Sequence, residues 1–154
     1  MLNIGDKVED LLLTNQNGES FKLSSVKEKY IILYFYPKDL TSGCTIEANA
    51  YNELLEEFKK EDVLVLGVSK DSAKSHLKFI DKNCLKFDLI VDENLTLNNY
   101  FDVYKEKSMY GKKYFGTVRT TFILDHDLNV LKINSKVSTK DDAKTNLEFI
   151  KNLK

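Results

Sequence analysis

The sequence predicts a single α/β domain in which a central mixed β-sheet is flanked by helices. Three observations carry that prediction. Short apolar runs rich in β-formers alternate along the chain with apolar residues at helical spacing. The first two runs are separated by a helix-length segment, which implies a parallel, right-handed crossover. The last two are separated only by a polar turn, which implies a hairpin.

The elements follow in order. "YIILYFY" (residues 30 to 36) and "VLVLGVS" (63 to 69) are continuous apolar stretches suited to central strands covered on both faces. Between them Ala50, Leu54, Leu55 and Phe58 recur at helical spacing from about residue 43 to 60, with charges on the other side. A second helical pattern sets Ala73, Leu77, Ile80 and Cys84 along one side, and "FDLIVD" after it reads as a short strand. "TTFILD" (120 to 125) and "NVLKI" (129 to 133) form the hairpin, with His126 in its turn. "STKDDAKTNLEFIKNLK" closes the chain as an amphipathic helix, with Ser138 or Thr139 as N-cap and acids in its first turn. Parallel and hairpin elements in this order, with helices between, predict a thioredoxin-like sandwich. With 154 residues and 42% hydrophobic content, residues 1 to 154 suffice for one such domain and are too few for two. No repeat, low-complexity tract or linker interrupts them.

Charge and hydropathy exclude several function classes. The 23 basic and 24 acidic residues are spread along the chain for a net charge of -1, so no basic stripe offers itself to nucleic acid or an anionic membrane. "MLNIGDKVEDLLL" mixes charges with apolar residues and lacks the basic flank, apolar stretch and cleavage site of a secretory signal. The longest apolar run, residues 30 to 36, is far short of the roughly 20 residues of a spanning helix. These features predict a soluble, cytoplasmic protein. In that compartment its two cysteines are thiols rather than a permanent disulfide, and each is a candidate for chemistry. His76 and His126 do not stand at zinc-site spacing with them; His76 reads as a helix-surface residue, and no metal or cofactor is expected. "YKEKSMYGKKY" reads as a solvated loop.

"YFYPKDLTSGCTIEAN" (34 to 49) contains the chain's one proline, Pro37, seven residues before Cys44. Ligands of α/β folds gather at the carboxyl ends of parallel strands, and residues 37 to 44 leave the first such strand there. Cys44 then falls in the first turn of the next helix. Unpaired N–H groups and the positive end of the helix dipole favour a thiolate, the nucleophilic form. Pro37 fixes φ and stiffens the turn that aims the cysteine. Thr41 can direct a hydroxyl into the same pocket as donor and acceptor or cap the helix, and Gly43 leaves the backbone free for close approach by a small ligand. Every basic residue except Arg119 is lysine, so a local need for a guanidinium is expected there. Glu47, one helical turn after Cys44, reads by itself as an exposed first-turn acid.

Pro37-x-x-x-Thr41-x-x-Cys44 resembles the active-site motif of the peroxiredoxins, thiol enzymes that reduce peroxides. The likeness covers nearly the whole chain: "IGDKVEDLLLTNQNGESFKLSS", "GVSKDSAKSHLKF" and "GTVRTTFILD" resemble three family segments in order and spacing, in particular those of the peroxiredoxin Q, or bacterioferritin comigratory protein, branch. The resemblance implies a peroxidatic role for Cys44, which attacks the O–O bond of hydrogen peroxide or an organic hydroperoxide and becomes a sulfenic acid. It implies that Thr41 hydrogen-bonds the peroxide, that Pro37 shields the site from water, and that Arg119 stabilises the thiolate and the charge developing on the peroxide. It further implies that Glu47 orients Arg119, that thioredoxin or another thiol reductant recycles the enzyme, and that the protein is a monomer.

This chain departs from the family pattern in several places. Glu9 and Leu11 stand where proline and phenylalanine are usual, Ser42 replaces a frequent proline, and Asn49 occupies the position at which many relatives carry their resolving cysteine. Cys84 is the only remaining thiol for an intramolecular disulfide, and the resemblance gives it that candidate role; its other reading is a residue of the apolar helix face. Three alternatives compete with a two-cysteine peroxidase. One is a one-cysteine enzyme resolved by an external thiol, and another is a non-enzymatic redox sensor using Cys44. A thioredoxin-type or glutathione-peroxidase-like oxidoreductase is the third, and the chain has neither the C-x-x-C of the first kind nor the tryptophan usual in the second.

Overall fold

The computed structural model describes residues 2 to 153, so Met1 and the last residue of the expected C-terminal helix, Lys154, lie outside the described residues. A short antiparallel pair, β1 (Leu12–Thr14) and β2 (Ser20–Lys22), precedes the main sheet. Alternation then builds the centre. In β3 (Tyr30–Phe35), Ile32 and Tyr34 join one buried cluster, while Ile31, Leu33 and Phe35 join a second on the opposite face. The continuous apolar run is thus a strand covered on both sides, as its composition predicts.

The expected crossover helix is two helices, α1 (Ser42–Glu53) and α2 (Leu55–Lys60). Leu54, with φ -96° and ψ 5°, leaves helical geometry between them. Parallel β4 (Val63–Ser69) follows and pairs Ile31 with Leu64 and Leu33 with Leu66. Then come α3 (Ala73–Asn83), the short β5 (Leu89–Val91) and α4 (Thr96–Tyr100). Residues 104 to 114, expected as a loop, fall in a second hairpin of β6 (Tyr104–Met109) and β7 (Lys112–Thr117). Its turn uses left-handed Tyr110 (φ 52°) and Gly111 (φ 78°), the conformation a two-residue hairpin turn requires.

The expected hairpin is β8 (Thr120–Asp125) and β9 (Val130–Asn134), with exposed His126 in its turn. The C-terminal helix α5 (Asp142–Lys151) starts later than expected, because Ser138 and Thr139 lie in a turn in which the N–H groups of Asp141 and Asp142 donate to Ser138 O. The main sheet runs β5-β4-β3-β8-β9. One face is covered by Cys44, Ala48 and Tyr51 of α1, Phe58 of α2, Phe79 of α3 and Leu147 and Ile150 of α5; the other is covered by Leu97 and Phe101. No helix among the described residues is long and apolar enough to cross a membrane.

Candidate active site

Where β3 ends, the N–H of Tyr36 still donates to Val68 O at 3.1 Å, and Pro37, lacking a donor, follows as the chain leaves the ladder. The loop is then fastened from below. Buried Asp39 accepts hydrogen bonds from Tyr36 Oη (2.6 Å), Ser75 Oγ (2.9 Å) and His76 Nδ1 (2.7 Å), and its N–H donates to Asp71 Oδ2 (2.9 Å). His76 therefore does not lie on a helix surface as expected; it is fully buried, with Nε2 2.9 Å from Ile90 O. Both ring nitrogens face acceptors, the Asp39 carboxyl and the Ile90 carbonyl, so the ring ties the loop to β5. The loop also carries backbone strain: Leu40 has φ 64°, a conformation that costs a side-chain-bearing residue about 1–2 kcal/mol. Thr41 Oγ1 donates to Lys38 O at 2.8 Å, closing the turn; Thr41 occupies the N-cap position of α1 but its side chain makes no capping bond.

Cys44 is the third residue of α1, within the turn whose N–H groups have no intrahelical acceptor. It is 1% exposed. Arg119, in the connection between β7 and β8, points Nη2 at Cys44 Sγ at 3.3 Å and Nη1 at Glu47 Oε1 at 3.3 Å. One guanidinium thus bridges a sulfur and a carboxyl one helical turn apart. Gly43 makes the bridge possible: a Cβ there would stand 2.7 Å from Arg119 Nη2. The glycine admits the arginine, where the sequence suggests that it admits a ligand.

Glu47 is fully buried, which excludes the exposed first-turn reading. Burial pushes its pKa from 4.5 up to about 8, nearby Asp142 pushes the same way, and Arg119 opposes both. Lys107 of β6 also reaches the site. Burial and the Arg119 charge lower its pKa, while Cys44 pulls it back up, and its Nζ donates to Thr117 O at 3.0 Å. Among the described residues no three His, Cys, Asp or Glu side chains cluster so as to hold a metal ion. A cleft of about 520 Å³ lined by Phe101, Val118 and Phe122 borders the opposite face of the sheet and contains no cysteine.

The family model described as AhpC/TSA matches residues 4 to 133. The chain belongs to the AhpC/TSA family. Peroxiredoxin Bcp of Bacillus subtilis is 43% identical over 152 residues, 99% of this chain and 97% of that protein. Peroxiredoxin Bcp of Escherichia coli is 33% identical over 150 residues, 97% of this chain and 96% of that one. Among solved structures, Xylella fastidiosa PrxQ superposes with a TM-score of 0.92 at 34% identity, covering 98% of this chain and 96% of that chain. Xanthomonas campestris Peroxiredoxin Q gives 0.87 at 40%, covering 94% and 91%. The thioredoxin-like fold and the peroxiredoxin Q resemblance read from the sequence are both borne out, and the protein is a thiol peroxidase.

In this peroxiredoxin the second thiol is placed differently from the first. Cys84 does not continue an apolar face; it is exposed and caps the end of α3 in left-handed geometry, φ 52° and ψ 42°. Asn52 Nδ2 of α1 donates to Cys84 O at 3.0 Å, Asn52 Oδ1 accepts from Lys86 N at 2.8 Å, and Asn49 Nδ2 lies 3.4 Å from Asn83 Oδ1. Eight residues of helix separate Asn52 from Cys44, about 12 Å along the axis, and both thiols are free. The structure thus brings Cys44, Arg119 and Glu47 together with Pro37 and Thr41 in the adjoining loop, and holds Cys84 apart. Sequence reasoning missed Asp39, His76, Lys107 and Asp142. Only the Asp39 position inside the motif loop carried a signal, since an aspartate in a loop commonly anchors a turn through its side chain.

Proposed function

We propose that Cys44 is the peroxidatic thiol of this peroxidase and Cys84 its resolving thiol. The observation that carries the reading is the 3.3 Å approach of Arg119 Nη2 to Cys44 Sγ. A guanidinium cannot give up its proton to the sulfur, so it stabilises the thiolate and then the negative charge that grows on the peroxide oxygens. The Cys44 thiolate attacks the outer oxygen of ROOH, the O–O bond breaks, and the departing RO⁻ takes a proton and leaves as ROH. Cys44 is left as a sulfenic acid. Thr41 hydrogen-bonds the peroxide and Pro37 limits water. Cys84 attacks the Cys44 sulfur, an S–S bond forms and water leaves; a dithiol reductant such as thioredoxin then restores both thiols by exchange. One chain supplies every named group, in keeping with a monomer working in the cytoplasm.

A second reading has its own support: the Asn52 contact that holds Cys84 about 12 Å along α1 from Cys44 favours a one-cysteine cycle resolved by an external thiol. Two measurements decide. Stopped-flow reaction of the reduced protein with peroxide should be fast and absent in Cys44→Ser; a slow wild-type reaction refutes the assignment of Cys44. Intact mass after one equivalent of peroxide, without reductant, should show loss of two hydrogens in wild type and not in Cys84→Ser. A stable oxygen adduct in wild type selects the one-cysteine cycle.

A further inference from the structure

Behind the Cys44–Arg119 pair lies a buried polar cluster with two unpartnered atoms, Tyr34 Oη and Glu47 Oε2. Glu47 Oε2 is buried and has no hydrogen-bond partner if the group is a carboxylate, although its other oxygen accepts from Arg119. An orphaned buried oxygen of this kind costs about 1–3 kcal/mol. The Asp142 carboxyl of α5 is a neighbour that acts on Glu47 both by its charge and through a side-chain hydrogen bond, and two carboxylates cannot bond one another without a proton between them.

Asp142 is surrounded by donors. Tyr51 Oη (2.6 Å) and Thr121 Oγ1 (2.6 Å) donate to its Oδ2, and Asn134 Nδ2 (2.7 Å) donates to its Oδ1. Three donors aimed at one carboxyl leave about one of its four lone-pair positions for a further donor. Tyr51 is itself held by Asn146 Nδ2 at 2.9 Å, and Asn146 Oδ1 accepts from Lys132 Nζ at 2.9 Å, so the cluster is cross-braced from α1, α5, β8 and β9. Around Glu47 the titratable groups are Cys44 and Tyr51 of α1, Arg119 from the β7–β8 connection, Asp142 of α5 and Tyr34 of β3, whose pKa is raised by burial first and then by Glu47.

We propose that Asp142 is a positioning residue of the peroxidatic site: it accepts a hydrogen bond from a protonated Glu47 Oε2, keeps that carboxyl neutral, and so leaves the charge of Arg119 undivided for Cys44. The proposal rests on the assignment of Cys44 and Arg119 above. A neutral Glu47 still accepts from Arg119 through its carbonyl oxygen, so it holds the guanidinium in place without neutralising it. As pH rises, the Oε2 proton passes to solvent, a negative charge appears one turn from the sulfur, and the site loses part of its preference for a thiolate and an anionic transition state.

The test has two arms. In the first, the second-order rate constant with hydrogen peroxide is followed from about pH 5.5 to 9.5. Wild type should show an alkaline fall near pH 8; Glu47→Gln should lack it, and Asp142→Asn, which donates to Glu47 instead of accepting, should move it down by at least about one pH unit. An unchanged alkaline limb in Asp142→Asn overturns the proposal while leaving the Cys44 assignment to its own test in Cys44→Ser. The second arm needs no Asp142 variant: the infrared spectrum of wild type minus Glu47→Gln near neutral pH should contain the C=O stretch of one buried protonated carboxyl, lost as pH passes about 8. Its absence overturns the proposal.

Discussion

Replacing Gly43 by alanine separates the chemistry of the site from the stability of the fold, because the two should respond with opposite sign. The added Cβ would sit 2.7 Å from Arg119 Nη2, whereas non-bonded atoms settle at about 3.5 Å or more. The guanidinium must therefore retreat by about 0.8 Å. It is the far end of a flexible side chain with solvent on one side, so the fold absorbs the change cheaply. What is lost is the alignment of Nη2 with Cys44 Sγ at 3.3 Å and of Nη1 with Glu47. A hydrogen bond to a charged group contributes about 1.5–3 kcal/mol, and about 1.4 kcal/mol is a factor of ten. The rate constant for peroxide should fall roughly tenfold to 150-fold. Meanwhile alanine is up to about 1 kcal/mol better than glycine in a helix, so the thermal midpoint should hold or rise. Stopped-flow kinetics and a melting curve on one preparation suffice. A wild-type rate in Gly43→Ala would refute the claim that Arg119 acts from its observed position, and a rate lost together with several degrees of stability would show that the damage is structural.

Two further outcomes follow from the buried polar groups. His76→Leu takes the His76 partner away from buried Asp39 and from Ile90 O, and leaving a buried group short of its hydrogen bond costs about 1–3 kcal/mol; at about 2–4 °C per kcal/mol for a chain of this size, differential scanning calorimetry should show a midpoint lowered by roughly 2 to 12 °C, and an unchanged midpoint would mean that the Asp39–His76 contact carries no net stability. Glu47 makes stability depend on pH. Its folded pKa is raised from 4.5 to about 8, so its contribution is fully present below 4.5 and declines by about 1.4 kcal/mol per pH unit until the folded value is passed; denaturant midpoints of wild type relative to Glu47→Gln should fall over that window and then level off, and a constant difference would contradict it.

How far the molecule could be read in advance depended on whether a residue's surroundings were local. The runs at 30 to 36 and 63 to 69 announce themselves because burial on both faces leaves no room for polar side chains, and TTFILD coincides with β8 (Thr120–Asp125) residue for residue. The β6–β7 hairpin was hidden for the opposite reason. Most of its residues are exposed, so neither face required apolar alternation, and Lys107 looked like one solvated lysine among many. Cys44 and Arg119 were legible through the motif and through the rarity of arginine in this chain. Asp142 was not, since an acid in a helix's first turn has an ordinary explanation in the dipole. Only the three-dimensional approach of α5 to α1 turns that acid toward Glu47. His76 was misread on similar grounds: the pattern of α3 does not show that the loop carrying Asp39 packs against its first turn.

The same distinction bears on how the catalytic cycle would close. The Cys44 thiol is held by a helix start, an arginine and a buried carboxyl, an arrangement that lasts only while α1 is folded. The second thiol terminates α3 in a conformation that a residue with a side chain adopts at about 1–2 kcal/mol, and is tied to α1 through Asn52. Disulfide geometry needs Cα atoms within about 7 Å, so one of the two ends must open. The α3 end is the cheaper: it is already strained, exposed and held mainly by one asparagine, whereas opening the start of α1 would also break the Arg119 bridge and expose Glu47. In the proposed two-cysteine cycle a neutral sulfenic acid at Cys44 would hold Arg119 less tightly than a thiolate does, and the first turn of α1 would then be free to meet Cys84 part of the way.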